Sequence, residues 1–274
     1  MQDILMPILT VGGLGLGFGG ILAAAAKAFY VKIDERVEAI YDILPHVDCG
    51  ACGYVGCMPY AKAMVLEGDD DITKCAPGGS SVIGKIGDIM GVEASAGEPV
   101  VARLKCQGCE DHCPSDANYI GAMDCTSAAL ASGGYKKCPH SCLGMGDCAN
   151  ACPFDALYMA TDGLPKVIET NCTGCANCVE ACPKDLFELV PLTRRTIIRC
   201  ENKQNAIESG KVCSTACIAC NKCVKACDYD CIDIIDNLAT LRYEDCTDCG
   251  ACAPVCPTNV IYDGAEDLRS LAAA

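Results

Sequence analysis

The sequence contains no tryptophan, only four phenylalanines and only three histidines in 274 residues. A large aromatic core is therefore excluded, and small modules must be stabilised by something besides hydrophobic burial. Basic residues are also few, since 21 Lys and Arg stand against 36 Asp and Glu, for a net charge of −15. Binding to phosphates needs clustered Lys and Arg, so this balance argues against a nucleic-acid partner.

Familiar catalytic patterns are missing as well. The sequence shows no Ser-His-Asp arrangement, no phosphate-binding loop and no flavin or nicotinamide fold. We therefore predict that the chain carries no catalytic residues and no organic cofactor of its own.

Cysteine is what the chain has in abundance, with 27 residues. Disulfides, zinc or iron–sulfur clusters can each stabilise a chain of this composition. Disulfide scaffolds belong to oxidising compartments, and zinc ribbons use C-x2-C pairs separated by longer loops. The cysteine spacing in this chain favours iron–sulfur clusters instead.

The strongest pattern is the run from Cys246 to Pro257, spaced C-x2-C-x2-C-x3-C-P. In bacterial ferredoxins, three close thiolates of such a run hold one cube and the fourth ligates its neighbour. A run from Cys217 to Cys227 has the same spacing, with Asp228 in place of the proline. The pair predicts two [4Fe–4S] clusters that exchange their fourth ligands: Cys217, Cys220, Cys223 and Cys256 for one, and Cys246, Cys249, Cys252 and Cys227 for the other.

The same pattern occurs earlier in the chain. Cysteines at 125–182 recur at 200–256 with shifts of 74 or 75 positions, which is typical of duplicated units. The earlier copy lacks one cysteine, since Met145 stands where the later copy has Cys220. The first cluster of this copy still has four cysteine ligands if Cys138 is one of them. The predicted sets are Cys138, Cys142, Cys148 and Cys182 for one cluster, and Cys152, Cys172, Cys175 and Cys178 for the other.

A separate group of four cysteines lies before the repeats. Three are close together and the fourth is distant, which predicts a self-contained [4Fe–4S] site, with structural zinc as the alternative: Cys49, Cys52, Cys57 and Cys75. An amphipathic helix over residues 34–44, capped by Asp34, precedes the group, and a second helix is predicted from Met58 to Glu67.

Seven cysteines remain. Four have a spacing that fits no familiar pattern, and we predict a sixth cluster there because thiolates rarely gather without a ligand: Cys106, Cys109, Cys113 and Cys125. The other three are buried small hydrophobes or members of a mixed sixth site: Cys200, Cys213 and Cys231. Each histidine lies near cysteines in the sequence. We expect each to lie at the surface or to contact a ligand residue, and not to be a ligand itself: His46, His112 and His140.

Residues 4–26 carry no charge, and their length suffices to span a bilayer. The start of the chain lacks the basic residues of a signal peptide, so we favour an uncleaved anchor. Two G-x-x-x-G pairs, Gly13/Gly17 and Gly15/Gly19, predict close packing on another membrane subunit, a lone anchor being the alternative. Three basic residues follow the span and place the C-terminal bulk in the cytoplasm: Lys27, Lys32 and Arg36.

The predicted fold class is a small α+β protein. It comprises one N-terminal transmembrane helix (1–30), a four-Cys [4Fe–4S] module (31–80) and a glycine-rich linker with a short apolar helix (81–99). Tandem bacterial-type two-cluster ferredoxin units follow, the first with a Cys-rich N-terminal extension (100–195) and the second at 196–274.

The order of these parts resembles the B subunit of the Rnf complex, a membrane-bound, ion-translocating ferredoxin:NAD oxidoreductase. The most specific matches are the stretches from His46 to Tyr54 and from Lys74 to Gly79, and the extended repeat resembles the longer form found in anaerobes. The resemblance implies an electron carrier in the cytoplasmic membrane with at least five [4Fe–4S] clusters, six if the Cys106 set holds one.

The same resemblance implies partners. Reduced soluble ferredoxin would donate electrons, which integral-membrane and flavin-bearing subunits would use to reduce NAD while Na⁺ or H⁺ is translocated. Two alternatives stay open from the residues alone. One is a membrane-tethered polyferredoxin serving another enzyme such as a hydrogenase, and the other is a zinc-binding assembly module without a redox role.

Overall fold

The computed structural model describes residues 2–29, 34–93 and 97–263. Several sequence-based predictions extend outside these ranges: the ends of the anchor at 1 and 30, the start of the module at 31–33 with the basic residue Lys32, part of the linker at 94–96, and the end of the second ferredoxin unit at 264–274. All 27 cysteines lie within the described residues.

The N-terminal helix α1 runs from Gln2 to Ala28. Its segment Val11–Ala28 has a mean hydropathy of 1.4, is long enough to cross a membrane, and has no part buried against the rest of the chain. The glycines at 12–20 have open space where a Cβ would lie. The helix is thus a candidate membrane span with a small-residue face that no described residue covers.

A helical module follows. It contains α2 (Glu35–Ile43), α3 (Cys57–Lys62) with a π-helical turn (Ala63–Glu67), a 3-10 turn (Ala76–Gly78) and α4 (Gly79–Met90). The Asp34 carboxylate caps α2 by accepting the Arg36 N–H at 2.9 Å. The predicted helices at 34–44 and 58–67 correspond to α2 and to α3 with its π turn.

Helix α4 changes the predicted division of the chain. Its apolar side chains Ile83 and Ile86 are buried in one core with Val37 and Ile40 of α2 and Tyr60 of α3. The segment to Met90 therefore packs as part of the module, and the linker predicted for 81–99 was placed too early. Burial of these side chains outweighs the helix-weakening effect of Gly84 and Gly87.

The remaining chain consists of short strands and turns arranged twice in the same way. In the first half, β1 (Val100–Leu104) pairs with β4 (Phe187–Pro191), and β2 (Leu157–Met159) pairs with β3 (Pro165–Val167). In the second half, β5 (Thr196–Ile198) pairs with β8 (Ile261–Asp263), and β6 (Ile232–Ile235) pairs with β7 (Leu238–Leu241). All four pairs are antiparallel.

Five short helices complete the two halves: α5 (Cys125–Leu130), α6 (Asp147–Asn150), α7 (Asn177–Glu180), α8 (Ala206–Val212) and α9 (Lys222–Lys225). Two-stranded ribbons are marginal in water on their own. Cysteine makes up seven of the fourteen residues that the second half contributes to its buried core. The ribbons therefore depend on what the cysteines hold.

Candidate iron–sulfur centres

In the helical module, four thiols approach one another around the start of α3. The Cys57 N–H donates to the Asp48 carboxylate at 2.6 Å, which fixes the loop that carries Cys49 and Cys52. Burial, helped by the nearby Cys57, Cys52 and Cys49, raises the pKa of the Cys75 thiol to about 11. The structure thus brings together the four cysteines that the sequence grouped. A thiolate at Cys75 needs positive charge beside it to be stable, and cluster iron supplies that charge.

The ferredoxin-type loops share an unusual backbone conformation. Residues on both sides of the middle cysteine have positive φ: Gly174 and Ala176 around Cys175, Asp248 and Gly250 around Cys249, and Ala219 and Asn221 around Cys220. Alternating left-handed residues curl the chain, so three closely spaced sulfurs can face one centre. Ala176 and Ala219 adopt this conformation despite its steric cost for residues with a Cβ.

One enclosed space in the first half is lined by Cys152, Cys172, Cys175 and Cys178, which is the set grouped from the sequence. The Ala102 N–H of β1 donates to the Cys172 sulfur at 3.4 Å. Backbone N–H groups directed at cysteine sulfur are one means by which proteins adjust the potential of a cluster.

A second space in the first half differs from the prediction. It is lined by Cys125, Cys142, Cys148 and Cys182, and Cys138 is not among its lining residues. Cys125 stands at the start of α5, where its N–H donates to both oxygens of the Asp147 carboxylate at 3.0 Å. That contact ties α5 to the start of α6 and brings Cys125 beside Cys148.

Met145 explains why Cys125 is needed. It takes the place of the middle cysteine, yet the flanking Gly144 and Gly146 keep positive φ values of 71° and 89°. A Cβ on Gly144 would also meet the Gly163 carbonyl oxygen at 2.6 Å. The ferredoxin-type loop is thus preserved without its middle sulfur, and Cys125 supplies a sulfur from outside the loop.

In the second half, one space is lined by Cys227, Cys246, Cys249 and Cys252, as grouped from the sequence, and by a fifth cysteine, Cys231. The sulfurs of Cys227 and Cys231 lie 3.3 Å apart. Cysteine spacing alone assigned Cys231 to no definite site. Its position four residues after Cys227 was the available signal.

Cys217, Cys220 and Cys223 also lie together, since the first two raise the pKa of the Cys223 thiol after the larger effect of burial. Cys256, their predicted fourth partner, packs partly buried against the same core. Cys220 and Cys249 are the two exposed cysteines of the 27. Both sites of the second half therefore reach the protein surface.

The set Cys106, Cys109, Cys113 and Cys125 is not brought together. Cys125 joins the first-half space, and Cys109 lines neither this space nor the other three lined by four or more cysteines. Cys106 instead lines a space with Cys138, Cys200 and Cys213. The segment between Cys109 and Cys125 is long enough to carry α5 away from Cys106, and sequence spacing does not report that path.

The histidines occupy three different settings. His46 stacks on Tyr41 with ring centroids 4.3 Å apart, His112 Nδ1 lies 2.9 Å from the Ser214 hydroxyl, and His140 borders the Cys106 space.

The cysteine sulfurs line open spaces of similar size. Among the described residues, no three Cys, His, Asp or Glu side chains gather as tightly as the ligands of one metal ion. The sulfurs instead surround four spaces of similar size, about 370, 290, 320 and 280 Å³ including their solvent-open part. Thr196, whose buried hydroxyl has no hydrogen-bond partner in the described chain, lines the Cys246 space. This hydroxyl is a ready donor to a cluster sulfide.

The sites also adjoin one another in a definite order. Cys49 of the module lies near Cys175, and the Asn177 amide donates to the Cys49 carbonyl at 3.4 Å. Cys178 lies near Cys148, which links the two first-half sites. Cys252 lies near Cys223, which links the two second-half sites.

Comparison with protein families agrees with this picture. Residues 44–77 match a family model of an Fe–S cluster. Residues 134–183 and 216–260 each match a model described as a 4Fe-4S dicluster domain. The molecule is therefore an iron–sulfur protein that contains 4Fe-4S ferredoxin domains.

Relatives extend the likeness to nearly the whole chain. It is 44% identical to the B subunit of the Na(+)-translocating ferredoxin:NAD(+) oxidoreductase complex of Acetobacterium woodii, covering 99% of this chain and 81% of the relative. It is 38% identical to the B subunit of the proton-translocating complex of Clostridium ljungdahlii, covering 95% and 93%. It is 34% identical to the B subunit of the ion-translocating oxidoreductase complex of Methanosarcina acetivorans, covering 95% and 99%.

The chain belongs to the family of B subunits of ion-translocating ferredoxin:NAD oxidoreductases, the Rnf complexes. The family predicted from the sequence is thus confirmed. The chain is an iron–sulfur electron-transfer subunit of an oxidoreductase and translocase of this kind.

Proposed function

We propose that this chain conducts electrons singly from a soluble reduced ferredoxin to membrane and flavin-bearing subunits of its complex. Those subunits then reduce NAD and translocate Na⁺ or H⁺. The observation that carries the proposal is the order of the sulfur sites, in which the module adjoins the first half at Cys49 and Cys175. Bound clusters supply one-electron redox chemistry, and the chain's residues set their spacing and environment.

Five ligand sets follow from the groupings: Cys49, Cys52, Cys57 and Cys75; Cys152, Cys172, Cys175 and Cys178; Cys125, Cys142, Cys148 and Cys182; Cys217, Cys220, Cys223 and Cys256; and Cys246, Cys249, Cys252 and Cys227. The first set belongs to a module ending near Met90. The others belong to ferredoxin units at 100–195 and 196–274.

Electrons enter, in this proposal, through the second ferredoxin unit. The exposure of Cys220 and Cys249 supports this end, because a soluble donor must approach a cluster closely to reduce it. The module is the exit, since only residues 29–34 separate it from the apolar helix α1. In this arrangement α1 crosses the cytoplasmic membrane once and the C-terminal bulk lies in the cytoplasm, following the basic residues after the span.

Iron content gives a direct test. Five clusters bind about 20 iron and 20 sulfide ions per chain, and anaerobically purified protein should contain at least these amounts. The visible thiolate-to-iron absorption should bleach with dithionite. A content of about eight of each would mean that only one ferredoxin unit holds clusters, and zinc without sulfide would leave the assembly-module alternative.

The membrane helix can be tested separately. Gly15 and Gly17 face open space, and leucine at both positions should weaken assembly with the membrane subunits by roughly tenfold or more, because it separates the packed backbones. Copurification of the subunits measures the effect while the chain stays in the membrane fraction. Leu16→Phe, which at about 100° per residue lies opposite the midpoint of Gly15 and Gly17, is the matched control. Unchanged assembly of the glycine variant would leave α1 as a plain anchor.

A further inference from the structure

We propose that Cys106, Cys138, Cys200 and Cys213 hold a further [4Fe–4S] cluster that joins the two ferredoxin units. Two of these cysteines come from the first half and two from the second, and together they line one space. Each side chain is between 7% and 9% exposed. This ligand set draws on both halves, unlike the predicted set of Cys106, Cys109, Cys113 and Cys125.

The two halves contribute in the same way. Cys106 follows β1 by two residues, and Cys200 follows β5 by two residues. Cys138 precedes Cys142 by four positions, as Cys213 precedes Cys217. By its place after the strand, Cys106 is the structural counterpart of Cys200, although the sequence shift of 75 aligns Cys125 with it. The site is therefore an approximately twofold arrangement of structurally equivalent ligands, which is the form expected when a duplicated unit meets its copy.

Hydrogen bonds to sulfur repeat the same symmetry. The Cys106 sulfur accepts from the Gly108 N–H at 3.3 Å and from the Cys142 N–H at 3.4 Å. The Cys200 sulfur accepts from the Asn202 N–H at 3.4 Å and from the Cys217 N–H at 3.3 Å. Such donors stabilise thiolates, so both sulfurs are prepared for metal in the way that cluster ligands are.

Contacts between the two halves join them beside the four cysteines. Lys105 pairs with Glu201 at 2.5 Å, the Gln107 amide donates to the Asn259 carbonyl at 2.8 Å, and the Ser214 N–H donates to the His112 carbonyl at 2.9 Å. The Lys136 ammonium donates to the Gly108 carbonyl at 2.8 Å. Four thiolates around a 2+ cube would leave two negative charges, which the Lys136 ammonium beside Cys106 would partly offset.

The site also connects the electron path. Cys142 and Cys217, whose N–H groups donate to Cys106 and Cys200, are assigned to the flanking clusters of the first and second units. A cluster held by these four cysteines would act as a relay, accepting one electron from the second-unit cluster and passing it to the first unit. This role rests on the proposed function, whereas the ligand set does not.

Cys113 is a fifth sulfur at the edge of the site. It is fully buried and in hydrogen-bonding contact with Cys138 and Cys213, yet it does not line the space. The second half has no counterpart of this cysteine. Cys113 lies seven residues after Cys106, and the residue seven positions after Cys200 is Ile207. We assign Cys113 as a hydrogen-bonding neighbour of the ligand sulfurs and not as a ligand.

The test compares single substitutions in the full-length chain within its complex. Cys200→Ala and Cys106→Ala should each remove about four iron and four sulfide ions, since one cube is lost. Cys109→Ala and Cys113→Ala should retain the full content. Iron and sulfide analysis, with electron paramagnetic resonance of the dithionite-reduced protein, gives readouts independent of activity. Persistence of the other cluster signals shows that each variant is folded.

The outcomes separate the site from its role. Full iron content in both Cys106→Ala and Cys200→Ala overturns the ligand set, as does loss of a cube from Cys113→Ala alone. If either ligand variant fails to fold, Cys138→Ser and Cys213→Ser supply the same measurement. Reduction by ferredoxin should then stop at the second unit, and undiminished reduction of the module without the joining cluster overturns the relay role. A wild-type module that ferredoxin never reduces would refute the proposed function while leaving the iron count intact.

Discussion

Cys52→Ser should abolish electron delivery to the membrane acceptor while leaving both ferredoxin units reducible by ferredoxin. Cys52 belongs to the four thiols of the module, which adjoins the first unit through Cys49 and Asn177. Loss of that cluster removes the exit of the path without touching the other ligand sets. We expect the rate of acceptor reduction to fall by more than about a hundredfold. This loss exceeds the roughly 10–100-fold typical when a residue that hydrogen-bonds to a metal ligand is changed. Stopped-flow spectroscopy with reduced ferredoxin measures both steps.

The module offers a matched control in Tyr54→Phe. This change removes the hydrogen bond from the Tyr54 hydroxyl to Asp69, at 2.5 Å, and leaves every thiol in place. It should transfer electrons at close to the normal rate. Iron analysis must show that Cys52→Ser has lost only its own cluster, because a cluster also contributes folding energy. Normal transfer to the acceptor by a variant shown to lack this cluster would disprove the exit.

Sequence spacing predicted the groupings where one local run supplies most of the ligands. Cys172, Cys175 and Cys178 occur within seven residues, and their loop has the left-handed residues that turn three sulfurs inward. The fourth member, Cys152, comes from the partner run by the exchange typical of two-cluster ferredoxins. Spacing was sufficient here because backbone geometry within such a run leaves little choice.

Spacing alone did not indicate which cysteine outside a run would join its space. Cys138 was expected beside Cys142 because it is near in sequence, yet Cys125 occupies that place through its bond to Asp147. Cys138 turns instead toward Cys200 of the other half. The choice depends on the path of residues 109–137, which short-range pattern does not encode. The repeat did carry part of the signal, since Cys138 and Cys213 are equivalent positions.

The extent of the module was missed for a different reason. Glycines at 78, 79, 84, 87 and 91 favoured a linker, whereas Ile83 and Ile86 are buried in the module core. The apolar helix was predicted, but its partner was not, because amphipathic pattern shows that a face is buried and not against what.

Removal of iron should affect the two parts of the chain very differently. In the second half, seven of fourteen core residues are cysteines, whereas the module core has one cysteine among ten residues. Apolar burial stabilises α2 and α4 through side chains such as Val37, Ile40 and Ile86. The ribbons of the second half pack their apolar side chains among cysteines that make up half of the core, so we expect their folding to depend on cluster binding.

We therefore expect anaerobic chelation to unfold residues 196–263 while the helices at 35–43 and 79–90 keep slow hydrogen exchange. Amide protection in the second half should fall by several powers of ten, as its opening free energy drops from about 5 kcal/mol toward zero. Exchange measured by mass spectrometry on the full chain compares both regions in one sample. Iron and sulfide added back under reducing conditions should restore protection. Equal loss of protection in both regions would contradict this account, because it would mean that the module also depends on its cluster rather than on its apolar core.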